Sequence, residues 1–189
     1  MWGILVESVE RPAGSSWLRT QAEREARKDI LKPSDRFGQL LGIVCFLVLI
    51  AFVAIHQTRP TGFFTNDSGN TTAGAIYIMI VVGLVPLLMR LVLGRKNQAR
   101  PFEAFGNIVF LVGSLYLLLK FPFDFSHFAD PLPAFLGFLL DWVSATLAKW
   151  ILGIGVVCSC FTPVYTFILY RAVKNALSRT DAPAPKANE

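Results

Sequence analysis

The stretch "FPFDFSHFADPLPAFLGFLLDW", Phe121 to Trp142, decides the architecture of this chain. It is aromatic enough to be taken for a membrane helix. It also carries Asp124, Asp130, Asp141 and His127, and it is broken by Pro122, Pro131 and Pro133. Its reading depends on the segments that flank it.

Those segments are apolar runs, four in all. They cover about 37–57 (FGQLLGIVCFLVLIAFVAIHQ), 73–94 (AGAIYIMIVVGLVPLLMRLVLG), 104–121 (AFGNIVFLVGSLYLLLKF) and 150–170 (WILGIGVVCSCFTPVYTFILY). A helix needs about 20 residues to cross the hydrocarbon core of a bilayer. The first, second and fourth runs meet that length, and the third is shorter with polar ends. Of the 189 residues, 53% are hydrophobic and only 16% charged, against roughly 25% charged in soluble domains. Mean hydropathy is +0.51. The composition excludes a soluble domain with one large core and predicts an all-α integral membrane protein with four transmembrane helices.

Charge sets the side on which each connection lies. Lysine and arginine crowd the tail before the first run (Arg11, Arg19, Arg24, Arg27, Lys28, Lys32, Arg36), the connection between the second and third (Arg90, Arg95, Lys96, Arg100), and the C-terminal end (Arg171, Lys174, Arg179, Lys186). The other side keeps Arg59, Lys120 and Lys149. Translocation of positive charge is disfavoured, so the rich side is expected in the cytoplasm with both termini, in a plasma membrane protein. "MWGILVE" has no basic n-region, so the first span is expected to act as an uncleaved signal-anchor.

This topology puts Phe121 to Trp142 outside. Asp130 then reads as a helix N-cap with Pro131 at the first helical position. From Leu132 the apolar residues recur at helical spacing through Phe135, Leu136, Leu139, Trp142, Val143, Leu147 and Trp150. The expectation is an amphipathic interfacial helix over about 131–149, between spans three and four, with phenylalanines dipping into the membrane surface. Continuity with the fourth span is the alternative.

The first domain, residues 1–36, is a cytoplasmic tail. Within it, Trp17 to Leu31 suits a helix with a narrow stripe of Leu18, Ala22, Ala26 and Ile30. Thr20 and Glu23 fit a capping box, with an earlier start at Ser15 or Ser16 as the alternative, Glu23 and Arg27 fit an i, i+4 pair, and Pro33 a stop. The stripe predicts a solvated juxtamembrane helix, with lipid or partner contact as the alternative. Residues 37–172 form the membrane domain. Residues 173–189, ending in "SRTDAPAPKANE", read as a disordered tail.

Three features bear on chemistry. Asp124, His127 and Asp130 are spaced i, i+3, i+6, an arc of about 120° on a helix. Two carboxylates and an imidazole there are candidate ligands for zinc or another divalent metal, with His56 on the same side. Asn66-Asp-Ser and Asn70-Thr-Thr are glycosylation patterns that also read as a polar turn. Cys45, Cys158 and Cys160 lie inside runs, where buried small side chains are expected; Cys-x-Cys on a helix diverges by about 200° and cannot chelate.

Gly38-x-x-x-Gly42 and Gly155-x-x-x-Ser159 are expected to let helices approach closely, and Pro86 and Pro163 to kink them, in a compact bundle. No ionisable group lies mid-span, which argues against ion-coupled transport. No catalytic fingerprint is present, so no catalytic residue or cofactor is expected. The expected function is that of a non-catalytic accessory or scaffold subunit. Its partners would be the lipid bilayer and either a membrane protein or further copies of itself, with no nucleic acid. A small transporter or channel, with a polar stripe of Asn107, Ser114, Ser159 and Thr162, is the alternative. A metal- or cofactor-binding membrane protein using Asp124, His127 and Asp130 ranks third.

Overall fold

The computed structural model describes residues 13–59, 61–65 and 69–180. Its elements are α1 (Ala13–Arg27), α2 (Pro33–Thr58), α3 (Gly69–Leu93), α4 (Lys96–Lys120) and α5 (Ala145–Thr180), with 3-10 turns at Phe125–His127 and Ala134–Leu139. No strand occurs among the described residues. Four of the helices, α2 to α5, are long and apolar enough to cross a membrane. Asp181–Glu189 and Asn66 lie outside the described residues. Asn70 stands in the first turn of α3.

Each apolar run belongs to a longer helix, the second and third running one residue past its end, to Gly94 and Phe121. Pro33 occupies the first turn of α2 instead of stopping α1. A proline lacks the N–H that is an orphan in that turn, and its ring keeps the preceding Lys32 extended (φ −74°, ψ 159°). α1 starts before the expected capping box, so Thr20 is mid-helix, and Glu23 pairs with Arg19 at 3.1 Å. α4 begins at Lys96, eight residues ahead of its apolar run. α5 has 36 residues, about 54 Å at 1.5 Å per residue. That exceeds the roughly 30 Å hydrocarbon core, so α5 continues beyond its apolar run to Thr180. The segment 173–180, expected to be disordered, is thus helical.

The helices form an open row in which each packs on its neighbour in sequence, α2 on α3, α3 on α4 and α4 on α5. No contact of comparable extent joins α2 to α5 among the described residues. Each pair interlocks by setting a large side chain against a glycine. An added Cβ would meet the Phe46 ring at 3.1 Å on Gly83 and the Phe110 ring at 3.2 Å on Gly155, and would overlap Met79 on Gly113. Small residues let backbones approach where the solvent on both sides is apolar. Gly42 touches Leu87, whereas Gly38 faces open space, so only part of the first small-residue pattern is used. Only 6% of the most apolar window of α2, and the same share in α3, is buried within the chain. The three cysteines are exposed on helix faces rather than buried.

α1 lies against α5. Ala22 is buried with Leu169 and Val173, and Ala26, Ala172, Ala176 and Leu177 pack around them. The narrow alanine stripe is therefore a seam between two helices and not a solvated face. Ile30, the last residue of the expected stripe, is 72% exposed because α1 has already ended at Arg27. This docking gathers α1, the α3–α4 connection and the far end of α5 at one end of the row, called the basic end here. The α2–α3 and α4–α5 connections form the opposite, aromatic end.

Candidate functional site

The aromatic end is built on Phe63. It is 6% exposed, and its ring lies 4.5 to 5.7 Å from those of His56, Phe64, Phe123, Phe125 and Phe128. Phe64 and Phe123 form an isolated antiparallel bridge. Asp124 N donates to the Phe63 carbonyl at 2.8 Å, and Thr65 N to Pro122 at 3.2 Å. These bonds stitch the α2–α3 loop to the start of the stretch 121–142. Gly62 permits this course. It has φ +92°, and a Cβ there would meet the His127 ring at 2.9 Å. Phe121 takes φ 38°, a left-handed conformation that a bulky residue holds only when its surroundings enforce it. Lys149 Nζ sits 4.4 Å over its ring, and Phe125 stacks on it.

His56, near the end of α2, is 4% exposed. Its Nδ1 is 2.7 Å from Thr61 Oγ1, while its buried Nε2 has no hydrogen-bond partner among the described residues. Phe52 meets it edge-on at 4.7 Å. Sequence spacing placed His56 at this end but gave no sign of this enclosure, because the rings that meet it come from one turn back in α2 (Phe52) and from the loop beyond it (Phe63 and Phe64).

The three expected metal ligands are divided. His127 Nδ1 lies 2.9 Å from Asp130 Oδ2, both about half exposed. Asp124 turns elsewhere: its Oδ1 accepts from Ser126 N at 3.0 Å and from Ser126 Oγ at 2.6 Å. The Ser126 hydroxyl, followed by its N–H, holds the Asp124 carboxyl below its ordinary value of 3.8. Asp124 is the cap of the short 3-10 turn. No group of three or more His, Cys, Asp or Glu among the described residues is placed to hold a metal ion. Asp130 pairs with His127 and caps no helix.

The expected interfacial helix over 131–149 does not form as one element. A 3-10 turn covers Ala134–Leu139, and Ala145 to Lys149 belong to α5. Pro133 disfavours helical backbone at Leu132, and Trp142 Nε1 donates to the Leu139 carbonyl, closing the segment on itself at 2.7 Å. Phe135, Phe138 and Trp142 remain 66% to 75% exposed.

The basic end is held differently, by hydrogen bonds and ion pairs. Asp29 caps α4 twice: its carbonyl accepts from Lys96 N at 2.8 Å and its Oδ1 from Asn97 N at 2.7 Å. Leu31 N donates to the Gly94 carbonyl at 2.9 Å. Arg100 donates to Glu25 at 2.7 Å and to Asn97 at 3.0 Å. Lys96 pairs with Asp35 at 2.8 Å, and Arg90 with Glu103 at 2.5 Å. These partners explain why α1 stops at Arg27: the next residues serve α4.

The expected polar stripe is mixed. Ser114 and Ser159 are buried, and the Ser114 hydroxyl has no hydrogen-bond partner among the described residues. Thr162 donates to the Cys158 carbonyl within its own helix at 2.8 Å.

No known family model matches this chain, and no curated protein or solved structure matches it either.

Proposed function

We propose that this is a multi-pass protein of the cell membrane with its basic end in the cytoplasm, acting as a non-catalytic accessory or scaffold subunit of a membrane complex. The observation that carries the reading is the open row. α2 and α5 each pack on one neighbouring span, and the long apolar faces they leave free suit further helices or lipid. Charged groups near the spans are neutralised at the basic end, as in Arg90–Glu103, so the middle of the row offers packing surface and no relay. Phe135, Phe138 and Trp142 suit the outer membrane surface, where aromatic rings settle at the headgroup level.

Two experiments test this. Purification from native membrane in mild detergent should retain a stoichiometric membrane partner or a second copy; a strictly monomeric, partner-free chain overturns the reading. Single cysteines at Gln98 and Ser126 in a cysteine-free background report sidedness. Ser126 should react with an impermeant maleimide in intact cells and Gln98 only after lysis.

A further inference from the structure

The basic end carries a half-open pocket of about 240 Å³ between the start of α4 and the end of α5. Arg95, Asn97 and Gln98 line it from one side, and Tyr170, Lys174 and Leu177 from the other. This is smaller than the roughly 300–1,000 Å³ usual for small-molecule pockets, so it suits a compact group and not a flat cofactor.

The cations of this end are not equivalent. Arg90, Lys96 and Arg100 are taken by Glu103, Asp35 and Glu25. Arg95 and Lys174 are exposed, line the cavity, and form no ion pair among the described residues. The one acid in the lining is Asp29, which is 5% exposed and already caps α4. Guanidinium and ammonium groups donate and do not accept. A ligand must therefore present several anionic acceptor oxygens, and a guanidinium fork matches two of them in a phosphate. Tyr170 closes the fourth apolar run, and Leu177 lies two turns further along α5. An amphipathic ring at that boundary sits at headgroup depth.

We propose that this cavity binds a phosphate group on Arg95 and Lys174, presented by an anionic lipid headgroup where α4 and α5 leave the bilayer. The lipid source rests on the membrane reading above, whereas the phosphate chemistry does not.

The test uses the full chain in mild detergent and titration calorimetry with three probes. These are dihexanoyl phosphatidic acid, dihexanoyl phosphatidylcholine and inorganic phosphate. Phosphatidic acid should bind saturably, and phosphatidylcholine at least about tenfold more weakly. Arg95→Ala and Lys174→Ala should each weaken phosphatidic acid by about tenfold or more, the effect of one charge-assisted hydrogen bond. Lys174→Arg and Arg179→Ala, the latter at the same end but outside the lining, should leave binding within about twofold. Inorganic phosphate that binds as tightly and displaces the lipid keeps the site and assigns its source to soluble phosphate. The proposal fails if the double variant Arg95→Ala, Lys174→Ala binds like the parent while its unfolding midpoint is unchanged. It also fails if phosphatidylcholine binds equally, or if no probe binds. Partner retention during purification is read separately, so the two proposals stand or fall apart.

Discussion

The two ends of the helix row join their chain segments by opposite means. The aromatic end packs rings: Phe63 is enclosed by residues from α2, its own loop and the 121–128 segment, with few ion pairs. The basic end sets the Lys96 and Asn97 N–H groups and the Arg90, Lys96 and Arg100 cations against named acceptors, with Asp29 and Arg100 at its centre. Ring packing is non-directional and proportional to area. Charge-assisted hydrogen bonds are directional, and leaving one partner unmet is costly. The first kind of joint tolerates a shift in one ring but not a void, and the second tolerates a void but not a lost partner.

Phe63→Ala should break the aromatic end and gives the largest expected effect, about 3–5 kcal/mol, as for a buried phenylalanine that leaves a cavity. Thermal unfolding in detergent measures it; a loss below about 1 kcal/mol means that the loops are held by their backbone bonds alone. Arg100→Ala leaves Glu25 and the Asn97 amide oxygen without their donor at a site where Arg100 is 8% exposed, and about 1–3 kcal/mol is expected from the same assay. Asp29→Ala removes a side-chain cap from α4 and should cost about 1 kcal/mol. Asp29→Asn keeps the accepting oxygen and should recover most of that, and equal losses for the two would show that charge rather than capping holds this end.

The smallest effect concerns Asp124. Its carboxyl is held below 3.8 by the Ser126 hydroxyl and then the Ser126 amide. Because the folded value lies below the unfolded one, the stabilisation is present above the ordinary carboxylate range and is lost as pH falls through the folded value. A carbon-detected titration of the Asp124 carboxyl should give a value under 3.8, and Ser126→Ala should raise it. No change on that substitution would remove Ser126 as the cause.

The residues that misled sequence reading share a property: each had a sufficient local explanation that another contact displaced. Thr20 and Glu23 match a capping box, yet α1 starts earlier and Glu23 pairs back to Arg19. Asp130 before Pro131 matches an N-cap, yet it pairs with His127. Leu18, Ala22, Ala26 and Ile30 match one helix face, but Ala22 and Ala26 are the pair that join the cluster with Leu169 and Val173, and Ile30 lies past the end of α1. In the candidate metal set, spacing brought His127 and Asp130 together and could not foresee that Asp124 would cap a 3-10 turn. Of the glycines that seat Phe46, Met79 and Phe110, Gly155 stood in a small-residue pattern, whereas Gly83 and Gly113 carried no signal beyond being small.

Four apolar helices and a lopsided distribution of lysine and arginine were legible directly, because hydropathy over some 20 residues and the count of charges are local sums. The limits of those helices, the order of the row and the make-up of both ends were decided by tertiary contact. Asp29 caps a helix 68 residues away, and Phe63 gathers rings from segments that no periodicity relates. Such partners are chosen by which chain segments fold side by side, and a one-dimensional pattern does not record that.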